Sequence, residues 1–337
     1  MMRKSRVASL AAVAVLGLAG AAGADEITLT FATTGLATTA PHPQVSHPWA
    51  ARMNEIGKGV LKIDVVDGFT IAGPANFYPR VQNDVVQIAW GLQGSVGGVF
   101  PLTDVARIPY LVMKAEEGSV AFWRLYKTGL LDSDYKDVRP LALAMFPQGV
   151  LHLAKAPKAI DDYAGLRLVA NSKMTSDIIL RLGATPVTIL IQETYQALQR
   201  HTVDGTVTGY PAVLPFKFNE VTSYHVDAML GGGAGFIFLA KKKFDSLPAA
   251  VRKLLDDNSG EPLARRYGKT NDDEWVKGRA AVVAMTDHTV VAPTPAQHEM
   301  FKRKMAPIAE EFAKTVPGGD AVLAKFRELL AQVQQGR

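Results

Sequence analysis

The order of hydrophobic periodicities in the first third of the chain constrains the fold most. Glu26-Ile27-Thr28-Leu29-Thr30-Phe31 alternates polar and apolar residues and is rich in β-branched side chains, as a half-buried strand is. Leu61-Lys62-Ile63-Asp64-Val65-Val66 alternates in the same way and stops at the turn pair Asp67-Gly68. Val85–Trp90 is a third, shorter apolar run, closed by Gly91 and a glycine-rich loop. Between these runs, Trp49–Ile56 and Asn76–Asn83 have helical spacing. Strands alternating with helices must connect by crossovers, which predicts a mostly parallel sheet covered by helices.

After a predicted helix over Glu116–Lys127 the pattern restarts. Leu141–Phe146, Gly149–Ala154, Leu166–Ala170, Thr185–Leu190 and Val203–Thr208 read as strands. Ser172 caps a predicted helix over Met174–Leu182 that ends at Gly183, and Glu193–Arg200 is another helix. From Leu247-Pro248 onward the chain is helical, with a kink or break expected at Gly260 and Pro262. Helix resumes through Trp275 to about Met285, and Pro295–Val316 and Asp320–Gln334 are two further amphipathic helices. Two α/β units joined by crossing strands and backed by long helices describe a hinged, two-lobed protein with mixed sheets.

Residues 1–24 combine a basic start (Arg3, Lys4, Arg6), an apolar run from Val7 to Leu18, and a small-residue exit at Ala22-Gly23-Ala24. Those are the parts of a Sec-type secretory signal peptide cleaved near Ala24. The apolar core is too short for a comfortable membrane span, so the mature chain is expected free of stable membrane insertion, in the periplasm. The formal charge of +5 includes the three basic residues of that segment, which leaves a mature chain close to neutral. Nucleic-acid binding therefore has little support, and the isolated Lys241-Lys242-Lys243 reads as a solvated strand end or helix start. The chain has no cysteine. An exported protein without disulfides must rest on a large core, which its 48% hydrophobic content can supply.

Enzyme motifs fail on inspection. Gln93-Gly94-Ser95-Val96-Gly97 lacks the first glycine of a nucleophile elbow, which disfavours the rival reading of a secreted hydrolase. Gly231–Phe236 misses the last glycine of a dinucleotide fingerprint. His42 and His47 sit in a proline-broken loop without cysteine or paired carboxylates, and Asp161-Asp162 reads as a turn cap. No catalytic residue, metal or cofactor is expected.

Four ordered blocks carry a resemblance. Asp161–Leu168 (DDYAGLRL), Leu182–Val187 (LGATPV), Glu193–Gln199 (ETYQALQ) and Val203-Asp204-Gly205 resemble the solute-binding component of tripartite ATP-independent periplasmic (TRAP) transporters, the DctP type. Val60–Gln93, Phe100–Leu111 and Lys243–Pro248 extend the likeness over nearly the whole mature chain. The resemblance implies a two-lobed periplasmic-binding fold of type II-like form. Lobe I is expected over 25–148 with part of 212–260, and lobe II over 149–211 with part of 261–337. Helices in 248–337 would back both lobes. It further implies a small organic solute, a carboxylic acid, bound in the interdomain cleft and delivered to a small and a large permease subunit. The receptor itself would be a monomer or a homodimer.

The resemblance also implies an arginine that clamps the carboxylate, and here the residues depart. Val169 stands at that position, with Arg167 two residues earlier, and Leu151 stands where a second family arginine often lies. An anionic ligand would then be held by Lys173, by the helix start near Ser172, or by His152. The alternative is a neutral or cationic solute against an apolar wall of Val169 and Leu151. Loops at the carboxyl ends of strands supply the other candidates for the pocket. They are Thr34 beside Thr33, Phe77 and Tyr78, Trp90 and Gln93, Gln148, Asn171, Thr208 with Tyr210, and Phe236.

Overall fold

The computed structural model describes residues 26–337, so the predicted signal segment lies outside the described residues. Among the described residues eleven strands form two sheets. The first has the order β2 (Leu61–Val66), β1 (Ile27–Ala32), β3 (Ile88–Leu92), β10 (Ala234–Ala240), β4 (Val138–Met145). Its first three strands are parallel, as the crossover pattern predicts, while β10 runs antiparallel to both neighbours and makes the sheet mixed. The second sheet has the order β11 (Thr289–Val291), β9 (Tyr224–Val226), β5 (Val150–Leu153), β8 (Gly205–Thr208), β6 (Arg167–Ala170), β7 (Thr185–Thr188).

Two segments cross between the sheets, Phe146–Gly149 after β4 and Asp227–Gly233 after β9. They pair with each other: Gly149 N–H donates to Gly231 C=O at 2.7 Å, and Leu230 N–H to Gly149 C=O at 3.0 Å. A Cβ at Gly231 would stand 2.5 Å from the Arg107 carbonyl, and its φ is +79°, so only glycine fits there. The glycine run that fails as a nucleotide motif is thus the tight crossing between lobes. Gln148 locks it. Its buried amide oxygen accepts from Gly231 N–H at 2.8 Å, and its Nε2 donates to the Val112 carbonyl at 2.7 Å.

The helix Glu261–Val283 spans the back of both lobes and reads onto the crossing with one face. Asn271 Nδ2 donates to the Met145 carbonyl (2.7 Å), Trp275 Nε1 to the Gln148 carbonyl (3.3 Å), and Arg279 Nε to Asp227 (2.8 Å). These residues lie four apart and so share a helix face. Gly260 starts this helix, and the preceding one ends at Asp257, so the expected interruption is a full break. The predicted helix Pro295–Val316 is two helices, Pro295–Met305 and Pro307–Thr315, because proline at 307 cannot donate into a continuing ladder. Truncating Gln148 to Ala leaves the buried Gly231 N–H without an acceptor. It should cost about 1–3 kcal/mol of unfolding free energy in a urea titration, and an unchanged midpoint would contradict this role for the crossing.

Candidate functional site

A cavity of about 470 Å³ opens between the two sheets, bounded behind by the crossing segments. Its lobe I wall is built from strand ends: Thr34 after β1, Trp90 in β3, and Gly94 and Ser95 in the loop that follows. Thr34 Oγ1 donates to the Trp90 carbonyl at 2.7 Å, tying the two strand ends together. Phe146 packs edge-on to Trp90 with ring centroids 6.0 Å apart, and His42 does the same from another side at 5.0 Å. From lobe II come Asn171 and Ser172 after β6, the start of the helix Lys173–Arg181, and Thr208 at the end of β8.

Thr34, Trp90, Asn171, Lys173 and Thr208 all line the cavity, as strand-end loops should. The other predicted positions lie off the wall. Phe77 and Phe236 meet edge-on at 6.1 Å in the lobe I core, where Tyr78 stacks on Phe238. Gln93 is buried with its amide donating to the Tyr135 hydroxyl at 3.2 Å, and Gln148 is spent on the crossing. Leu151 and Val169 are fully buried strand residues. The Tyr210 side chain points away, its hydroxyl donating to Asp227 at 2.7 Å, although Gly209 and Pro211 on either side reach the wall.

The residue that sequence reasoning passed over is Arg107. It lies on a turn of 3₁₀ helix, Leu102–Arg107, in lobe I and is only 6% exposed, yet it lines the cavity. Its Nη1 donates to Asp104 at 2.9 Å, and its Nη2 reaches across to the Ser172 hydroxyl of lobe II. A Cβ at Gly94 would fall 2.5 Å from Nη1, so the glycine-rich loop is the slot that admits the guanidinium. Asp134 fixes the start of the turn by accepting from Thr103 N–H at 2.8 Å, and burial pushes its carboxyl up to about 6. The signal available in the sequence was an arginine embedded in the apolar stretch Val105-Ala106-Arg107-Ile108, three residues after an aspartate.

The charges on the wall are one-sided. Arg107 and Lys173 line it and no aspartate or glutamate does. The Lys173 side chain is 85% exposed, with its ammonium paired with Asp177 at 2.7 Å. His42 is buried, and desolvation pulls its pKa down to about 4, so it faces the cavity neutral. His152 is not at the wall. It begins a buried chain of histidines, with Nδ1 2.7 Å from His225 Nδ1 and His225 Nε2 2.9 Å from His288 Nδ1. Burial lowers the pKa of His225 to about 4, and burial with His225 alongside lowers that of His152 well below its ordinary value. Among the described residues no group of three or more His, Cys, Asp or Glu could hold a metal ion. Nor is any helix long and apolar enough to cross a membrane.

Residues 31–315 match the profile of the family described as bacterial extracellular solute-binding protein, family 7, DctP. The chain belongs to that family. It is 27% identical over 249 residues, 72% of its length and 73% of the relative's, to a protein of Comamonas testosteroni named outer membrane transporter protein TsaT. It is 30% identical over 173 residues to the C4-dicarboxylate-binding periplasmic protein DctP of Rhodobacter capsulatus, covering 49% of each chain. Among solved structures, a TRAP solute-binding protein of Rhodoferax ferrireducens T118 in complex with copurified benzoate superposes with a TM-score of 0.85. That match has 25% identity and covers 92% of this chain and 99% of the other. The fold is accordingly the α/β, two-lobed architecture of the TRAP solute-binding proteins, and the cleft cavity is the candidate site of this family member.

The buried histidines fix the direction of a pH effect. Their folded-state pKa values lie below the ordinary one near 6.5, so the unfolded chain takes up protons first. Stability from these three groups is present above about pH 6.5 and is lost as pH falls toward 4. Asp134 acts oppositely over about pH 4–6, since its raised pKa favours the folded state in acid. Three histidines outweigh one carboxyl. Between pH 7 and 5 unfolding free energy should fall by about 1–2 kcal/mol each for His42 and His225 and further for His152, with Asp134 returning about 1 kcal/mol. A flat profile by urea denaturation would contradict the neutral burial of the histidines.

Proposed function

We propose that this family member is the periplasmic receptor of a tripartite transporter, and that it captures a small organic acid in the interlobe cleft for delivery to a small and a large membrane subunit. The observation that carries the reading is the buried Arg107 guanidinium on the cavity wall, held by Asp104 on Nη1 and met on Nη2 only by the neutral Ser172 hydroxyl, with no aspartate or glutamate on the wall among the described residues. A cationic solute would bring a like charge to Arg107, and a neutral polyol would offer it hydroxyl acceptors but no opposite charge. The benzoate held by the Rhodoferax ferrireducens relative and the dicarboxylate named for the Rhodobacter capsulatus one agree with an acid. Residues 1–24 would direct export, with Asp25 as the mature N-terminus, and N-terminal sequencing of the periplasmic form should read from at or beside that residue.

Isothermal titration of the mature chain against organic acids, amines and polyols tests the ligand class. Acids should bind, and at a hundredfold excess over Kd stabilise the fold by about 2.7 kcal/mol, seen as a rise of a few degrees in Tm. Binding of amines or polyols without any acid would refute the reading.

A further inference from the structure

We propose that Arg107 anchors the solute's carboxylate, and that the solute is a monocarboxylate with an apolar, ring-sized body. This rests on the acid reading above and adds the residue and the ligand class. The strand positions where the resemblance implies arginines hold Val169 and Leu151, both sealed in core packing. The cleft's buried cation comes instead from the opposite lobe, on the Leu102–Arg107 turn.

The proton order around Arg107 makes that corner a donor surface. Ser172 Oγ accepts from Thr175 N–H at 3.2 Å and from Arg107 Nη2. Its own hydrogen is therefore directed to Thr175 Oγ1, 2.9 Å away. Thr175 Oγ1 in turn donates to Asn171 Oδ1 at 3.1 Å. The acceptor of the Asn171 amide is thereby occupied, and its Nδ2 has no hydrogen-bond partner among the described residues. A carboxylate seated here takes over from Ser172 as acceptor for Nη2 and accepts from Asn171 Nδ2. Asp104 stays on Nη1 and holds the guanidinium in place. Arg107 belongs to lobe I and Asn171 to lobe II, so one carboxylate joins the two lobes.

The remainder of the wall offers a second carboxylate neutral donors, among them Thr39 and Thr208, but no second inward-facing cation among the described residues. Trp90 and Phe146 present aromatic rings, with the Trp90 indole N–H buried and unpaired among the described residues, His42 is neutral, and the Lys173 ammonium is turned out to Asp177. A dicarboxylate would have to bury its second charge without a cationic partner, whereas an apolar ring would pack against Trp90 and Phe146.

The test is calorimetric titration of the mature chain with benzoate, phenylacetate and 4-methylpentanoate as monocarboxylates, and with succinate and glutarate as dicarboxylates. At least one monocarboxylate should bind at least tenfold more tightly than either dicarboxylate. Arg107→Gln should weaken it by at least tenfold, as loss of a charge-assisted bond does. Asn171→Asp keeps the acceptor for Thr175 at a half-buried site, so it spares the fold while placing a negative charge beside the carboxylate. It should weaken binding at least as much, and Lys173→Ala should change it less than about threefold. Circular dichroism melting of each variant confirms folding. If wild type binds only amines or polyols, the acid reading falls and this inference with it. If wild type binds an acid but Arg107→Gln and Asn171→Asp keep that affinity within about threefold, the anchor is overturned while the acid reading stands. Dicarboxylates binding as tightly as monocarboxylates would overturn the ligand class.

Discussion

A guanidinium buried between two lobes has to be given acceptors, and much of this cleft follows from how Arg107 receives them. Asp104 is supplied from within the same helical turn, three residues away, and Ser172 from the other lobe. The first partner keeps the charge tolerable in a low-dielectric place, since an unpaired ion there would cost several kcal/mol. The second is neutral and so leaves the charge incompletely matched. The surroundings are built to fit: Gly94 leaves room for Nη1, Gly231 lets the crossing pass the Arg107 carbonyl, and Asp134 pins the start of the turn.

The lobes are joined by two short paired segments and backed by one long helix. Any closing of the cleft would bend the backbone near Phe146–Gly149 and Asp227–Gly233, where Gln148 and the Asn271, Trp275 and Arg279 side chains hold the geometry. Each lobe has a core cluster of its own, and a further buried cluster runs from Phe77 and Phe236 of lobe I to Leu151 and Leu168 of lobe II together with the C-terminal helices. A polar contact that already reaches from Arg107 to Ser172 marks where the two bodies meet.

The fold was largely legible because local periodicity and burial agree. The alternating runs at β1 and β2 are half-buried strands, and Ser172 does cap the following helix by accepting from Thr175 N–H. β10 is not legible in the sequence because its run Ala234–Ala240 is buried on both faces and so lacks alternation. The lining of the candidate cavity was legible to the extent that open α/β sheets place their clefts at strand ends, where Thr34, Trp90, Asn171, Lys173 and Thr208 lie. It failed where an aromatic near a strand end turns inward, as Phe77 and Tyr210 do, since sequence does not show which side a loop residue faces. Arg107 lies in no strand-end loop, and only tertiary packing of a turn against another lobe brings it to the cleft.

The most direct test of the account is a crystal structure of the mature chain with benzoate in the cleft. The account predicts a carboxylate oxygen within about 3 Å of the Arg107 guanidinium and in reach of the Asn171 amide, with the ring against Trp90 and Phe146. A carboxylate seated instead on the Lys173 ammonium, with Arg107 still bound to Ser172, would contradict it.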